Sequence, residues 1–394
     1  MKTALESIRR GAVELFTQND LEEKLAQKRP LRVKWGADPT SPDLHLGHAV
    51  VLNKLRTFQD LGHHAVLILG DFTAQVGDPS GRDKTRPALS FETIEKNART
   101  YQRQAFKILD PAKTEIRFNS EWLAPVFRVQ RAIEAGSPLQ AFLTRYSVLR
   151  LLEREEFTQR RKQELPITLA EILYPLFQAY DSVAVKADVE IGGNDQLFNL
   201  LMGRQMQKDF FQPPQVVLTL PLLEGTDGVK KMSKSYGNTI ALEEAPADMF
   251  GKAMSLSDPL MLRYYELLTD ADLNAVKAVH PKQAKLDLSE RLVKSFHGAE
   301  AARQARAEFE RVFSRKETPS DIPSFRLPRA SMTLVEVMVE SQTAPSKNEA
   351  RRLLKQRAVR VKDKLCLADE PLKIAGEAIL QVGKRQFRKL LPPE

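Results

Sequence analysis

The sequence predicts an α/β fold: a Rossmann-like parallel sheet with a helical insertion, then a helical region, then a small α+β domain. Three observations carry this prediction. Leu31 to Leu69 reads as one β-α-β unit. Two later stretches, near residues 189 and 216, again run from a strand into a glycine-containing turn. After a proline-rich linker the chain changes to a short basic helix among short strands.

Residues 1–30 are mostly helical and charged, and the first of them form an amphipathic helix without the apolar core of a signal peptide. Leu31, Val33 and Trp35 then alternate as in a strand. Gly36, Pro39 and Pro42 punctuate a turn, and Val51, Leu52, Leu55 and Phe58 fall at helical spacing before Gly62. Ala65 to Leu69 is a continuous apolar run, as in a buried parallel strand. A phosphate can bind at the helix start of such a unit, where free N–H groups and the helix dipole meet it. That start reads His45-Leu46-Gly47-His48. Its imidazoles can donate to phosphate, and its glycine admits a flat base. A metal-binding pair lacks a Cys/His cluster to complete it, whereas a pair of capping or solvated histidines stays open.

The second strand runs into a Gly/Asp/Ser loop, Gly70 to Arg82. Asp78 there suits a cationic amine, or an Asx-turn before Pro79. Residues 90–165 read as charged helices, an insertion too long for a simple loop and suited to a subunit interface. In ITLAEILYPLFQAYDSV, Tyr174, Gln178 and Asp181 share one helix face, while Leu173, Leu176 and Phe177 supply the packing face. This stripe is either a ligand wall or an ordinary half-exposed face. VAVKADVEIGGNDQLFNLLMGR reads as strand, Gly-Gly turn and helix, with Asp195 and Gln196 at the helix start. Asp195 suits a ligand contact or an N-cap. After the strand VVLTL, the loop GTDGVKKMSKSYGNTI carries Lys230, Lys231 and Lys234. It is phosphate-seeking or simply solvated, and its glycine spacing fits neither a Walker A loop nor a dinucleotide fingerprint.

Residues 241–317 read as helical and polar, and Pro319 to Pro328 as a linker. Ser346-Lys347-Asn348-Glu349 then opens a helix as a capping box. That helix displays Arg351, Arg352 and Lys355, followed by Arg357, and the strands AVRV, LCLA and AILQVGKRQF follow. The 394-residue chain has a net charge of +9, and Ser346 to Glu394 holds thirteen Lys/Arg against six Asp/Glu. Such a surplus favours an anionic partner. The single Cys366 excludes an internal disulfide framework and suits a reducing compartment. No run approaches a membrane span.

HLGH, GGNDQ and KMSKS, in that order, resemble the class I aminoacyl-tRNA synthetases. With GADPTSPDLHLGH, GDPSGR, NSEW and YPLFQAYD, the chain is similar to the bacterial tyrosyl-tRNA synthetases over nearly its whole length. SKNEARRLLKQRAV and VGKRQF resemble the S4-like RNA-binding domain that these enzymes append. The resemblance implies activation of L-tyrosine by ATP and transfer to the 3′ end of tRNA(Tyr). It implies that Thr40, His45 and His48 bind the ATP phosphates, with Gly47 under the adenine, and that Asp195 holds the ribose. Lys231 and Lys234 grip the leaving pyrophosphate. Asp78, Tyr174 and Gln178 take the α-amino group, Gln196 the carboxylate and Asp181 the phenol hydroxyl, with Gly36 and Asp38 where the two substrates meet. Lys347, Arg351, Arg352, Lys355, Arg357, Lys384 and Arg385 face the tRNA.

It further implies Mg²⁺ arriving with ATP, no tightly bound cofactor, no protein metal site, a cytoplasmic homodimer and no membrane partner. The corresponding division is a catalytic domain over 1–225, with the insertion as dimer interface, a helical anticodon-side domain over 226–325 and an S4-like domain over 331–394. A tryptophanyl enzyme and a catalytically silent RNA-binding relative are the alternatives. One departure stands out: Lys34 occupies a position where many family members have a tyrosine that reads the substrate hydroxyl.

Overall fold

The expected β-α-β unit forms the middle of a six-stranded sheet in the computed structural model. The structure describes residues 3–80, 89–128, 138–313, 322–329, 331–362, 364–372, 374, 376–383 and 386–393. The strands are β1 (Glu14–Phe16), β2 (Arg32–Ala37), β3 (His64–Leu69), β4 (Thr114–Phe118), β5 (Val189–Gly193) and β6 (Val216–Leu220). They lie in the order β1-β6-β5-β2-β3-β4, with β1 antiparallel to β6 and every other neighbour parallel. From β2 the chain adds β3 and β4 on one side, and from β5 it adds β6 on the other. The order therefore reverses between β2 and β5, and ligands of open parallel sheets bind beyond the strand ends at such a reversal.

Helices α1 (Ala4–Arg9) and α2 (Gln18–Ala26) lead in. Helix α3 (Leu46–Asp60) crosses from β2 to β3 and buries Val51, Leu52, Leu55 and Phe58, the stripe read from the sequence. Next come α4 (Thr73–Val76) and α5 (Phe91–Ala105). The insertion holds α6 (Ser120–Arg128), α7 (Pro138–Arg145), α8 (Val148–Leu151) and α9 (Glu155–Lys162). Helix α10 (Leu169–Ala184) starts with a full capping box between Thr168 and Glu171, and α11 (Leu197–Asp209) follows β5. After β6 the chain is helical: α12 (Pro246–Met254), α13 (Asp258–Leu268), α14 (Leu273–Lys277) and α15 (Pro281–Phe313), which breaks at Gly298.

Several features depart from the sequence reading, among them residues 324–326, a strand inside the stretch read as a linker. Residues 14–16 and 114–118 are strands inside stretches read as helical. Both lie at sheet edges, where pairing to a neighbour decides the conformation and the apolar signal is weak. In β4 the charges that suggested a solvated helix pair across the surface, Arg32 with Glu115 at 2.8 Å and Arg117 with Glu121 at 2.6 Å. Nor does β2 alternate between core and solvent: Val33, Lys34 and Trp35 are all buried, because both faces of a central parallel strand are covered.

Lys34 therefore carries its charge into the interior. Its ammonium lies 2.7 Å from Glu190 on β5 and donates to Ser182 Oγ (2.8 Å) and the Gln178 carbonyl (3.1 Å) on α10. The second oxygen of Glu190 accepts from Ser182 Oγ at 3.0 Å and from the Gln215 amide.

The chain divides into two compact units, Met1–Arg306 and Ala307–Glu394. The second has a sheet in the order β10-β9-β12-β13-β7, built from β7 (Ser324–Arg326), β9 (Val359–Val361), β10 (Lys364–Leu365), β12 (Ala378–Val382) and β13 (Gln386–Leu391). A second pair joins β8 (Met332–Thr333) to β11 (Pro371–Leu372), and helices α16 (Leu334–Glu340) and α17 (Lys347–Lys355) complete the unit. Val337, Met338, Leu354, Leu380 and Leu390 form part of its core. The capping box expected at α17 is half-formed. Ser346 caps the Glu349 N–H, but the Glu349 carboxylate turns to Arg352 instead, 2.6 Å away.

Removing one member of a buried ion pair strands the other, at a cost of about 3–5 kcal/mol. Lys34→Met is therefore expected to lower stability by that amount in urea unfolding. Adding Glu190→Leu to it is expected to restore most of the loss.

Candidate active site

A cavity of about 550 Å³ opens beyond the carboxyl ends of β2, β3, β5 and β6. Its walls include Gly36, Asp38, Thr40, His45, Gly47 and His48 from the first β-α-β unit, and Asp78 from the loop after β3. Tyr174, Gln178 and Asp181 come from α10, Asp195 and Gln196 from the turn after β5, and Lys231 and Lys234 from the loop after β6. All the residues expected from the sequence to meet ATP or tyrosine thus line one space.

On the helix-start side, His45 is the N-cap of α3: its side chain accepts from the Gly47 N–H at 3.2 Å. His48 Nδ1 accepts in return from the His45 N–H, also at 3.2 Å. The capping role therefore holds, and it sets the chemistry of what remains. A neutral imidazole that accepts at Nδ1 carries its proton on Nε2. Burial pushes His45 down to about 2, with His48 and Lys234 adding repulsion. Burial and then Lys234 push His48 down to about 4. Both rings are thus neutral N–H donors at neutral pH. A Cβ on Gly47 would sit 2.9 Å from the His45 ring and break this cap. A Cβ on Gly70 would land on the Asp38 carboxylate, while one on Gly36 would meet nothing within 4 Å.

The lysines of the loop after β6 already have partners. Lys231 lies 3.2 Å from Asp195, and Lys234 lies 2.7 Å from Asp43. Burial raises the Asp195 pKa against the pull of Lys231. Asp195 does not cap α11, whose N-cap residue Gln196 makes no side-chain cap bond. Lys230 stands apart, over the Tyr236 ring at 4.8 Å.

On the α10 side, the Tyr174 hydroxyl donates to Asp38 Oδ2 at 2.9 Å, and Thr73 Oγ1 donates to Asp38 Oδ1 at 2.7 Å. Asp78 closes the expected Asx-turn, one oxygen accepting from the Ser80 N–H, and its other oxygen accepts from Gln196 Nε2, each at 2.9 Å. Asp181 is 3 % exposed and accepts from Trp122 Nε1 at 2.7 Å and Asn119 Nδ2 at 3.4 Å. Burial drives its pKa up to about 7, although Lys34, Trp122 and Asn119 all favour the ionised form.

Asn119 and Trp122 belong to the NSEW stretch quoted for the resemblance, but the sequence reading gave neither a role. The signal available was an asparagine and a tryptophan together in the charged stretch FNSEWL. In the second unit Lys347, Arg351, Arg352, Lys355 and Arg357 are all exposed on or just after α17. Lys384 and Arg385 lie outside the described residues. Among the described residues, no group of three or more His, Cys, Asp or Glu is placed to hold a metal ion.

The family model for class I tRNA synthetases (W and Y) matches residues 26–314, and that for the tyrosine–tRNA ligase SYY-like C-terminal domain matches residues 315–386. A tyrosine–tRNA ligase of Thermotoga maritima is 47% identical, covering 97% of this chain and 96% of its own. One of Oleidesulfovibrio alaskensis is 48% identical, covering 99% of each. The crystal structure of tyrosyl-tRNA synthetase complexed with L-tyrosine from Archaeoglobus fulgidus has a TM-score of 0.61 at 22% identity, covering 77% of this chain and 98% of that one. A C-terminally truncated mitochondrial tyrosyl-tRNA synthetase of Aspergillus nidulans gives 0.65 at 20% identity, covering 79% and 95%. At these identities the two structures establish the fold.

A carboxyl held near pKa 7 in the folded chain and near 4 in the unfolded one binds more protons when folded between those values. Its contribution to stability is whole below about pH 4 and is lost as pH rises to about 7. Asp181→Asn keeps an acceptor for Trp122 and removes the titration. The variant is expected to gain on the parent between pH 4 and 7, by up to about 4 kcal/mol in all, of which urea unfolding at pH 5 and 8 reads about 3 kcal/mol.

Proposed function

The chain belongs to the class I tRNA synthetases and is a tyrosine–tRNA ligase, and on that premise we propose which of its residues do the work. The enzyme joins tyrosine to ATP as tyrosyl-adenylate, releases pyrophosphate, and passes tyrosine to the 3′ end of tRNA(Tyr). The observation that carries our residue assignment is that stretches spread from Gly36 to Lys234 close around one cavity at the sheet's reversal point.

In the first step the tyrosine carboxylate attacks the α-phosphorus of ATP, and the bond to pyrophosphate breaks. The substrate supplies the nucleophile, so the protein contributes position and charge stabilisation. His45 and His48, as neutral Nε2–H donors, hold the triphosphate beside Thr40 without binding it as cations would. Gly47 leaves the adenine its place. Lys231 and Lys234 exchange Asp195 and Asp43 for the pyrophosphate as its charge grows, and Asp195, once released, takes the ribose. Mg²⁺ enters with ATP as part of that substrate.

The ammonium of tyrosine goes to Asp78, Gln178 and Tyr174. The Tyr174 proton is committed to Asp38, so its oxygen keeps acceptor capacity for a cation. Gln196 helps place the carboxylate, and Gly36 and Asp38 lie where the two substrates meet. Asp181 accepts a hydrogen bond from the phenol hydroxyl, its carboxylate held ready by Trp122 and Asn119. Phenylalanine would leave that buried acceptor short of a partner. Sites built for a hydroxyl reject its absence strongly, a rule for which tyrosyl-tRNA synthetases are the standing example.

We assign tRNA binding to the exposed basic residues of and after α17, together with Lys384 and Arg385. We also assign a homodimer with the insertion at its interface: Val148 and Leu149 on α8 are 55 % and 76 % exposed, and Leu169 is 69 % exposed. The division at residues 225 and 325, and residence in the cytoplasm, complete the reading. No helix among the described residues is long and apolar enough to cross a membrane.

ATP–pyrophosphate exchange with each amino acid in turn tests the amino-acid side. Tyrosine alone is expected to support exchange, and exchange with tryptophan would overturn the role of Asp181. Asp181→Ala is expected to lose exchange and the preference for tyrosine over phenylalanine together; unchanged selectivity would refute the assignment. Deletion of residues 331–394 is expected to spare exchange and abolish tRNA charging. Full charging by the shortened chain would remove tRNA binding from this domain. Charging by the whole chain should weaken steeply with salt.

A further inference from the structure

Arg154 lies in the insertion, yet its side chain is 1 % exposed and its guanidinium reaches into the hydrogen-bond network beneath the cavity. It sits between the rings of Phe157 and Phe198, 5.5 and 5.4 Å from their centroids. Nη1 donates to Asn199 Oδ1 at 3.0 Å, and Nη2 donates to Ser80 Oγ at 2.6 Å. Glu156 lies 3.7 Å from Nε. From Asn199 the network continues. Its Nδ2 donates to Gln178 Oε1 at 3.0 Å and to Gln196 Oε1 at 2.8 Å, and Gln196 Nε2 donates to Asp78 Oδ2 at 2.9 Å.

The direction of this network is set from both ends, by the Asp78 carboxylate, which accepts, and by Arg154, which donates. A guanidinium has five N–H donors and no acceptor. The Asn199 atom that meets Arg154 must therefore be oxygen, so its NH₂ meets the glutamines, and they in turn must present oxygens. The Gln196 NH₂ is left for Asp78. A primary amide has nearly the same shape after a half-turn, so packing alone does not fix which end faces which neighbour. The difference matters to a cation. Gln178 Oε1 has a second lone pair for an ammonium, whereas the NH₂ in its place would repel one.

We propose that Arg154 is a positioning residue for the amino group of tyrosine: as a donor without an acceptor, it orients Asn199, and through it Gln178 and Gln196, so that Gln178 offers oxygen to the ammonium. The proposal rests on the assignment of Gln178 and Asp78 to that group.

The test uses the full chain and two probes that split the substrate: tyramine, which keeps the ammonium and lacks the carboxylate, and 3-(4-hydroxyphenyl)propionate, which does the reverse. Arg154→Gln removes the donor-only end, so that Asp78 alone opposes a reversed network. It is expected to weaken tyramine about tenfold, the loss of one hydrogen bond to a charged group, and to leave the propionate unchanged. Arg154→Lys, still a pure donor, is expected to keep both. Tighter tyramine binding in Arg154→Gln would mean that the arginine acts only by its charge. Equal weakening of both probes would mean that it acts only by packing. Either result, or no change, overturns the proposal.

Should Arg154→Gln fail to fold, Asn199→Asp serves in its place. It gives the buried arginine a counter-charge but no longer donates to Gln178. It is expected to weaken tyramine, and tighter or unchanged binding refutes the relay. Gln178→Ala tests the underlying assignment separately: unchanged tyramine affinity there would remove the ammonium from Gln178, whatever Arg154 does.

Discussion

An ammonium and a carboxylate meet in the middle of the sheet, Lys34 on β2 and Glu190 on β5, with neither side chain more than 1 % exposed. Taking both charges out of water costs about as much as their attraction returns, so such a pair is weak support for stability. Its geometry is another matter. The same ammonium bonds a carbonyl and a hydroxyl of α10, and the carboxylate bonds that hydroxyl again. Two strands at the reversal point and the helix above them are thereby fixed to one another by groups that tolerate little displacement. The helix face so fixed carries Tyr174, Gln178 and Asp181 into the cavity. Asp181 then gains from the nearby positive charge, against a burial that favours its neutral form.

Around that frame, the polar groups of the site bond to one another. Lys231 holds Asp195, Lys234 holds Asp43, Tyr174 holds Asp38, and Gln196 holds Asp78. Each of these contacts keeps a polar group in place before substrate arrives, which is what preorganised charge stabilisation requires. They differ in how readily they yield. Lys234 and Asp43 are a third or more exposed, and exposed pairs are worth at most about 1 kcal/mol. Tyr174 and Asp38 meet deeper, and neither belongs to the loop after β6. The loop after β6 thus meets Asp43 through an exposed pair, whereas Tyr174 and Asp38 are held by a more buried bond.

Much of this was legible in the sequence because it is periodic. The α3 stripe, the apolar run of β3 and the polar face of α10 are statements about neighbours within one or two turns, and all three stand as read. What local spacing does not encode is pairing across the fold. The edge strands β1 and β4 owe their conformation to β6 and β3 rather than to their own residues. Lys34 reads as the polar member of an alternation until Glu190, far along the chain, is brought beside it. Trp122 meets Asp181 across 59 positions, and Arg154 meets Ser80 across 74. At α17 the sequence signature was complete and the structure was not, since Glu349 found a cation three residues on and left the cap. A local motif competes with every other partner within reach.

The glycines of the cavity set limits on how its shape can change. Gly70 is closed by Asp38 and Gly47 by the ring of His45, so a methyl at either position would displace a group the site uses. Gly36, on the same wall, has open space where its side chain would be. The pocket is therefore unevenly plastic. A side chain added at the end of β2 would project into the cavity and change what it admits, while the hydrogen-bonded frame beside it stayed intact.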